Sequence, residues 1–411
     1  MADDFTSAVR GSDGPEEARR GVVPRHAKRA RQNPGGLIAG IVASVLAMTL
    51  IASAAIGAVV WNTFSKQLAA SVVRVSETDA PPPDIGAIEG GFNLLLMGSD
   101  SREGQDGLSD DGEEGGARND VNILLHVAQD QQSAVAIGFP RDMYIPMADC
   151  ATYWGYTAAI SAPLNEGFAC AVQTIEAFVG MPIQFSGEIT FLGVVNMTSW
   201  IGGVDVCVDG PVAEDEDARD EGRFFLPAAG KYNLLGYDAL RFLRSRGGVG
   251  DGSDLSRVSS QQVYLSSLVR KIKSDGTLTD PVRLLGLAQG ALQSMTVSQS
   301  LGDAYTMMQL ALVLKNIPLN RITFTQFPTY RDTDGHYYPA SAGSTLLDYV
   351  RSDQPFRLAG VGDPDRTVTD ATGALTPEQQ GEIVDTSGLP VLDGLTGQTA
   401  ADFTCSVAYH Y

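Results

Sequence analysis

Charged residues gather where apolar segments of the chain begin or end. In the first half of the chain they are, in order, Asp100, Arg102, Arg118, Asp120, Arg141 and Asp142. A second group lies at the end of one predicted helix and the start of the next: Arg244, Arg246, Asp254, Arg257 and Gln261. No Ser–His pair, reactive cysteine motif or G-x-S-x-G sequence accompanies them, so the set does not indicate a nucleophilic hydrolase.

The residue types in these two groups favour phosphoryl transfer. Mg²⁺ is usually held by one or two carboxylates together with water and substrate phosphates. Guanidinium groups bind phosphate oxygens in pairs, so several arginines suit a highly anionic ligand. Catalysis of phosphoryl transfer is mostly positioning and charge neutralisation, which such a set could supply. Structural Arg–Asp pairs at strand ends would give the same pattern, and spacing alone does not separate the two interpretations.

The elements that would position these residues are visible as short apolar runs and periodic segments. Phe92–Met97, Val121–Val127 and Ala134–Phe139 are unalternated apolar runs, typical of strands buried on both faces. Further predicted elements are helices at 164–179, 191–201, 235–245 and 254–273 and a strand at Val204–Val208. Strands mixed with helices predict a layered α/β/α domain with a central mixed sheet over 92–275. Ligands of open α/β sheets bind at strand ends, where the charged residues lie.

The second half of the chain continues this domain and ends in a weaker pattern. Helix-like segments at 281–295 and 302–316 and a strand-like segment at Ile322–Phe327 predict a continuation of the domain over 276–359. Gly, Thr, Asp and Pro dominate residues 360–411, which we expect to form an extended tail along the domain.

The N-terminal region predicts a membrane anchor. Residues 35–61 contain no charged side chain and are long enough to form one transmembrane helix. Basic residues are denser before this segment than after it, so residues 1–34 form a cytoplasmic tail, and everything beyond the span is extracytoplasmic. Residues 62–91, with three consecutive prolines, would be the linker to the domain. A cleavable signal with a site at Ala52–Ala54 is the alternative.

Composition limits the classes of partner. Hydrophobic residues make up 44% of 411, enough for a substantial core. Residues 1–34 hold seven basic and five acidic residues, which leaves 22 basic and 44 acidic residues for the rest of the chain. The excess of acidic residues after residue 34 argues against binding to nucleic acid. The basic residues of the N-terminal segment are interpreted as a signal for membrane topology.

Four cysteines follow the predicted span, where an oxidising compartment permits disulfides. Cys150 and Cys170 lie 20 residues apart around one loop and helix, which predicts that they pair. Cys207 would then pair with Cys405 and hold the tail to the domain. Other connectivities, and four buried thiols, remain alternatives.

Several separated segments resemble the LytR-CpsA-Psr family in the same order. They are FNLLLMGSDSR (92–102), RNDVNILLHV (118–127), AVAIGFPRDMYIP (134–146), VQTIEAFVGMPI (172–183), WIGGVDVCV (200–208) and RFLRSRGGVGDGSDLSRVSSQQ (241–262). The resemblance implies a transferase of the cell membrane that moves an anionic glycopolymer from a polyprenyl-pyrophosphate carrier to peptidoglycan. It gives no nucleic-acid partner.

The resemblance also assigns expected roles to individual residues. Asp100 and Asp120 match the metal-binding carboxylates, with Mg²⁺ as the expected ion and Mn²⁺ as an alternative. The pyrophosphate clamp would comprise Arg118, Arg141, Arg244 and Arg246, with Gln261 beside it. Arg102, Asp254 and Arg257 are expected to contact substrate. A polyprenyl chain needs an apolar groove, for which Phe168 and Phe191 are candidate walls, although both also suit ordinary core packing.

Two positions depart from the family pattern. Gly155 stands where the family usually has lysine, and Ser260 stands where it usually has arginine. These losses motivate a second hypothesis, a membrane-anchored binding or regulatory protein without turnover. A transcription regulator is a third hypothesis, but the short segment before the predicted span has no room for a DNA-binding domain with its own core.

Overall fold

The structure is a computed structural model of the full chain. It describes residues 72–73, 90–99, 119–152, 155–213, 224–274, 276 and 280–409. The predicted cytoplasmic tail and membrane span lie outside these residues, as do Asp100, Arg102 and Arg118. Among the described residues, no helix has the length and apolar character needed to span a membrane.

The described residues form short strands and helices in alternation. The strands are β1 (Val72–Val73), β2 (Phe92–Ser99), β3 (Asn119–Val127), β4 (Ala134–Phe139), β5 (Tyr144–Pro146), β6 (Thr157–Ala159), β7 (Phe185–Ile189), β8 (Val204–Val208), β9 (Val212–Ala213), β10 (Phe225–Leu226), β11 (Gly230–Leu234), β12 (Met295–Ser298), β13 (Ile322–Gln326), β14 (Thr329–Arg331), β15 (Tyr337–Pro339), β16 (Arg357–Leu358), β17 (Thr367–Thr369), β18 (Val391–Leu392), β19 (Gly397–Thr399) and β20 (Thr404–Ser406). The helices are α1 (Phe168–Val179), α2 (Phe191–Trp200), α3 (Gly236–Arg244), α4 (Asp254–Ser274), α5 (Pro281–Ser294), α6 (Ala304–Asn316), α7 (Ser341–Arg351) and α8 (Pro377–Gly381). Short 3₁₀ helices cover Ala162–Glu166, Gln299–Leu301 and Leu319–Arg321.

A mixed sheet is the centre of the fold. In the described part of the chain it has eight strands in the order β1-β12-β7-β2-β3-β4-β13-β19. β2, β3 and β4 run antiparallel to their sequence neighbours, while β2 and β4 pair in parallel with β7 and β13. The start of β3 and the end of β4 therefore lie at the same edge of the sheet. This confirms the predicted mixed α/β fold.

Apolar side chains on both faces of the sheet pack against helices. On one face, Leu95 and Met97 of β2 pack in a core that contains Ile175 of α1 and Leu347 of α7. On the other face, Phe92 belongs to a second core, which includes residues of α5 and α6. Two-sided burial explains why β2 and β4 are apolar runs without strict alternation.

Most predicted elements are found close to their expected bounds. The strand predicted at Ala134–Phe139 is β4, and that predicted at Val204–Val208 is β8. The helix predicted at 164–179 is divided into a 3₁₀ helix and α1 by Gly167, whose φ of +108° lies in the region that favours glycine.

The structure corrects the prediction that residues 360–411 form an extended tail. β19 pairs with β13 at the edge of the main sheet, and β20 lies between β8 and β17 in a second sheet. Thr, Gly and Asp dominate this segment, so its strands lack the apolar runs that identify strands elsewhere. The tail is therefore part of the packed domain.

Both predicted disulfides are present. Cys150 pairs with Cys170 across 20 residues of sequence, and Cys207 pairs with Cys405 across 198. Cys207 and Cys405 are partners in the parallel register of β8 and β20, which brings their side chains together. Closing so long a loop stabilises the fold by up to about 5 kcal/mol on the chain-entropy account.

Candidate active site

The site begins with an ion pair at the edge shared by β3 and β4. Asp120 lies at the start of β3, beside an irregularity in its pairing with β2 between Gly98 and Ser99. Arg141 follows β4, and its Nη1 lies 2.5 Å from Asp120 Oδ1. The side chains of Asp120 and Arg141 are only 16% and 20% exposed. The structure thus brings together two residues predicted for the metal site and the clamp.

Arg257 connects this ion pair to helix α4. Its Nη2 donates to the backbone carbonyl of Asp120 at 2.8 Å and lies 2.5 Å from Asp254 Oδ1. Asp254 opens the helix and Arg257 follows one turn later, so both face the same edge of the sheet. Arg246 lies next to them, with its Nε 3.8 Å from Asp254 Oδ1. A single guanidinium group therefore fixes the position of the helix start relative to β3.

Several polar atoms of this cluster lack a well-aligned hydrogen bond. Within the described residues, both carboxylate oxygens of Asp254 and the Nε atoms of Arg141 and Arg257 are buried without such a partner. The short contact between Asp254 and Arg257 is thus an ion pair in poor hydrogen-bond geometry. Since nearly all buried polar groups in folded proteins are bonded, these atoms mark a place where a polar ligand can bind.

Burial shifts the ionisation of the cluster. It raises the pKa of Asp254, against the attraction of Arg257 and Arg246. It also lowers the pKa of Arg257, a shift opposed mainly by the charge of Asp254. At Arg141 burial alone would lower the pKa, but the hydrogen bond and charge of Asp120, with other nearby acids, raise it. The guanidinium groups of Arg141, Arg246 and Arg257 here lie among three carboxylates, those of Asp120, Asp142 and Asp254, so the cluster is dense in charges of both signs.

Two residues predicted for the clamp lie at the end of α3 and just after it, Arg244 and Arg246. Neighbouring side chains position this helix end. Gln261 donates from Nε2 to the carbonyl oxygen of Leu243 at 3.0 Å, which fixes the backbone next to Arg244. The guanidinium carbon of Arg244 lies 4.0 Å from the ring centre of Phe191. Gln261 and Phe191 thus position the helix end that carries Arg244 and precedes Arg246.

The two aromatic residues proposed as walls of a lipid groove have different surroundings. Phe168 is buried in the core between the sheet and α1. Phe191, which begins α2, is also buried and lies against Arg244. Phe168 thus packs in the core, and Phe191 lies against Arg244, a residue predicted for the clamp.

The two residues that depart from the family pattern differ in their exposure to solvent. Gly155 is exposed in the turn before β6, with a φ of +80°. Ser260 is almost completely buried on α4, and its hydroxyl oxygen has no hydrogen-bond partner in the described structure. The described structure therefore leaves the Ser260 hydroxyl, next to Gln261 in the chain, without an aligned partner.

Glu188 is an acidic residue that sequence reasoning missed. It lies on β7 in register with Met97 of β2, and its side chain bonds Ser99, the residue before Asp100. Burial raises its pKa, although the Ser99 hydrogen bond acts in the opposite direction. The available signal was a lone carboxylate in the short strand FSGEI. Because this strand is short and follows a loop, its pairing with β2 is not visible in the sequence.

Comparison with known proteins shows the family of this chain. The chain matches the LytR_cpsA_psr family over residues 61–352, which is most of its length. It belongs to that family. The matched range includes every predicted site residue and all of the cysteines except Cys405.

Individual relatives agree with this membership. The chain is 30% identical over 286 residues to the Corynebacterium glutamicum cell wall biosynthesis protein LcpA, covering 62% of this chain and 53% of LcpA. It is 25% identical over 289 residues to the Bacillus subtilis polyisoprenyl-teichoic acid–peptidoglycan teichoic acid transferase TagT, covering 69% of this chain and 84% of TagT. The aligned region is thus only about half the length of LcpA.

A solved structure supports the fold of this LytR_cpsA_psr member. The LytR-Csp2A-Psr enzyme from Actinomyces oris superposes with a TM-score of 0.51 at 21% identity. The superposition covers 67% of this chain and 96% of that one. At this identity the likeness supports the mixed α/β fold alone.

Proposed function

We propose that this protein is a membrane-anchored, extracytoplasmic phosphotransferase of the cell envelope. It would transfer an anionic glycopolymer from a polyprenyl-pyrophosphate carrier to peptidoglycan. The observation that supports this most is the buried cluster of Arg141, Arg257 and Asp254, whose polar atoms are incompletely bonded. The name of the relative TagT states the same class of reaction for that protein.

The chemistry of the cluster suits a pyrophosphate donor. Arg141, Arg246 and Arg257 present guanidinium groups to one edge of the sheet, and such groups bind phosphate oxygens in pairs. When the bond between the phosphates breaks, negative charge grows on the leaving polyprenyl phosphate. Fixed cations in a largely buried site stabilise that charge without reorganising, which is the main source of rate enhancement in such reactions.

We propose that a divalent metal ion binds at this cluster, with Mg²⁺ as the expected choice and Mn²⁺ as the alternative. Carboxylate oxygens are the donors that these ions prefer, and both oxygens of Asp254 are buried without a hydrogen-bond partner among the described residues. Asp120 lies close by, since Arg257 Nη2 touches its carbonyl and the Asp254 carboxylate. Asp100 and Asp120 would hold the ion, with Asp254 as a further oxygen donor. A bound divalent ion would neutralise charge on the pyrophosphate.

The membrane anchor and the cellular location are part of the proposal and rest on the sequence. Residues 35–61 would cross the membrane, with residues 1–34 in the cytoplasm. Two disulfides in the domain are consistent with an oxidising compartment. The carrier lipid would then reach the site from the membrane surface.

Substitution of Asp120 by Asn tests the proposed reaction. The variant keeps the shape of the side chain and removes its charge, so Mg²⁺-dependent transfer from a polyprenyl-pyrophosphate glycan to peptidoglycan should fall at least about 100-fold. Product formation by the full chain is measured in detergent with purified donor. Asp348→Asn is the matched control, because Asp348 is an exposed residue of α7. Undiminished transfer by Asp120→Asn would contradict the assignment.

The non-catalytic alternative makes a different prediction in the same assay. It is motivated by Gly155 and Ser260, where two cations of the family pattern are missing. A binding protein would retain the polyprenyl-pyrophosphate donor without releasing polyprenyl phosphate or phosphate at any Mg²⁺ concentration. Release of phosphate without acceptor would instead identify a pyrophosphatase side activity.

A further inference from the structure

Four aromatic side chains form a contiguous surface on the hairpins that follow Arg141. They are Tyr144 of β5, Tyr330 of β14, Tyr338 of β15 and His336 in the turn between β14 and β15. The rings of Tyr144 and His336 stack with centroids 4.0 Å apart. Tyr338 lies 5.8 Å from Tyr144 and 6.0 Å from Tyr330, so the rings follow one another in a row. We call this row the tyrosine surface.

The tyrosine surface is held in place by hydrogen bonds of its own turn. Asp334 accepts from the backbone amide of His336 at 2.9 Å and from the hydroxyl of Tyr338 at 2.8 Å. The amide of Asp332 donates to the carbonyl of His336 at 2.9 Å. Gly335, with a φ of +86°, permits the tight turn. Rings fixed in this way lose little conformational entropy when a ligand binds.

The tyrosine surface adjoins the arginine cluster. Three residue steps of about 3.8 Å place the Cα of Tyr144 within about 11 Å of the Cα of Arg141. Met143, which lies between them, is fully buried and bridges in parallel to Tyr337. Its carbonyl also accepts from the amide of Ile160 at 2.8 Å. The backbone that carries Tyr144 is therefore held close to Arg141, at the start of the tyrosine surface.

Charge separates this surface from the donor site. Exposed carboxylates of Asp332 and Asp334 lie in the turn that carries His336, beside Tyr338. Arg331 donates from Nε to the carbonyl of Gly335 in the same turn. An anionic polymer or a phosphate would be repelled here, whereas the arginine cluster attracts it. Carboxylates and tyrosine hydroxyls instead accept hydrogen bonds from sugar hydroxyls, and the negative face of an aromatic ring attracts the polarised C–H bonds of a pyranose.

We infer that the tyrosine surface binds neutral pyranose rings of the glycan that accepts the transferred polymer. The inference rests on the proposed transferase function and names the acceptor side of the same site. It assigns the two substrates of the reaction to different surfaces, one rich in arginine and the other in aromatic rings. An acceptor hydroxyl held there would approach the pyrophosphate from the side of Arg141.

The test measures glycan binding directly, without transfer. The probe is the β1→4-linked tetramer of N-acetylglucosamine, titrated calorimetrically into the full chain in detergent micelles. Tyr330 is 50% exposed, so its substitution should not disturb folding. Tyr330→Ala should weaken binding about fivefold, and Tyr330→Phe should retain it because the ring is kept. Tyr305→Ala on α6, 43% exposed in the wild type, is the matched control and should bind like wild type.

Each other outcome has a definite meaning. Equal binding by wild type and Tyr330→Ala, or no binding by wild type, would overturn the inference. Equal loss in Tyr330→Ala and Tyr330→Phe would overturn the stacking role of the ring. Displacement of the tetramer by inorganic pyrophosphate at constant ionic strength would place the glycan in the arginine cluster instead. Glycan binding at the tyrosine surface together with no transfer by the wild-type protein would refute the proposed function, while glycan binding by this surface would stand.

Discussion

The two ends of helix α4 both bury cations, but they satisfy them differently. At the N-terminal end, Arg257 is 3% exposed and pairs with Asp254, whose oxygens have no aligned hydrogen bond in the described structure. At the C-terminal end, Arg270 donates from Nη1 to the carbonyls of Ala400 and Asp402 at 3.0 and 2.6 Å. Its Nη2 donates to Ser267 at 2.7 Å. The charged groups at the first end lack aligned partners in the described structure, whereas Arg270 donates to three well-placed acceptors.

Lys273 repeats the arrangement of Arg270 one turn further on. Its ammonium group donates to the carbonyls of Lys315 and Ile317 at 2.8 and 2.6 Å and pairs with Glu382 at 3.0 Å. The negative end of the helix dipole also favours cations at this end. These contacts fasten the helix to the C-terminal end of α6 and to the C-terminal segment, so their role is structural.

The contrast teaches how to distinguish buried charges that hold a fold from those that serve a ligand. Fixed backbone carbonyls satisfy a cation permanently. A carboxylate in poor geometry leaves both partners able to bond a third group, at the cost of a less stable apo site. Burial lowers the pKa of Arg257 and brings that of Arg270 to about 10, so a shifted pKa alone does not separate the two roles.

Substituting lysine at each end should give opposite results, and the largest effect is expected at Arg257. Arg257→Lys keeps the charge but loses the planar group that spans Asp120 and Asp254. Transfer should fall about 100-fold, with the melting temperature little changed. Arg270→Lys, the matched variant, should lower the melting temperature more than it lowers the activity of the folded protein. Full activity in Arg257→Lys would make the N-terminal end structural too.

Removing the cation at the C-terminal end should produce the largest loss of stability. Arg270→Met leaves the carbonyls of Ala400 and Asp402 buried without a donor, which should cost about 3 kcal/mol of the free energy of unfolding. Denaturant titration of wild type and variant measures it. Lys271→Met is the matched control, because Lys271 is partly exposed, and its effect should stay within about 0.5 kcal/mol. A loss below about 1 kcal/mol at Arg270 would contradict the structural role.

The sequence predicts the strands, the main helices and many residues of the candidate site. It does not predict the hydrogen bonds and ion pairs that these site residues form. An apolar run locates β4, which is buried on both faces, and alternating valines that face one core locate β8. Asp254 and Arg257 are predicted for the site from their place at a helix start and from the family resemblance, but the buried oxygens of Asp254 without aligned partners in the described structure depend on side-chain geometry that the sequence does not encode. The same limit hid Glu188, whose neighbours come from β2.

The weakest predictions concern segments whose pairing is decided by distant strands. β19 contains only Gly397, Gln398 and Thr399, and it joins the main sheet because β13 offers a free edge. Phe168 and Phe191 look equivalent in sequence, yet one fills the core and the other supports Arg244. Tertiary context assigns these roles, and a local pattern cannot.

The smallest expected effect is a pH dependence caused by Asp254. Its pKa is raised in the folded protein, so the folded state binds more protons than the unfolded state between the ordinary aspartate pKa, about 4, and the raised value. Stability should therefore fall as the pH rises through this window.

Asp254→Asn removes the titration, and above the window the variant should be more stable than wild type by about 1 kcal/mol, as measured by thermal unfolding at several pH values. Its transfer activity should nonetheless fall, because Arg246 and Arg257 lose their shared counter-charge. A variant less stable than wild type at neutral pH would instead indicate that the Asp254 carboxylate is a satisfied ion-pair partner, and the contrast between the two ends of α4 would fail.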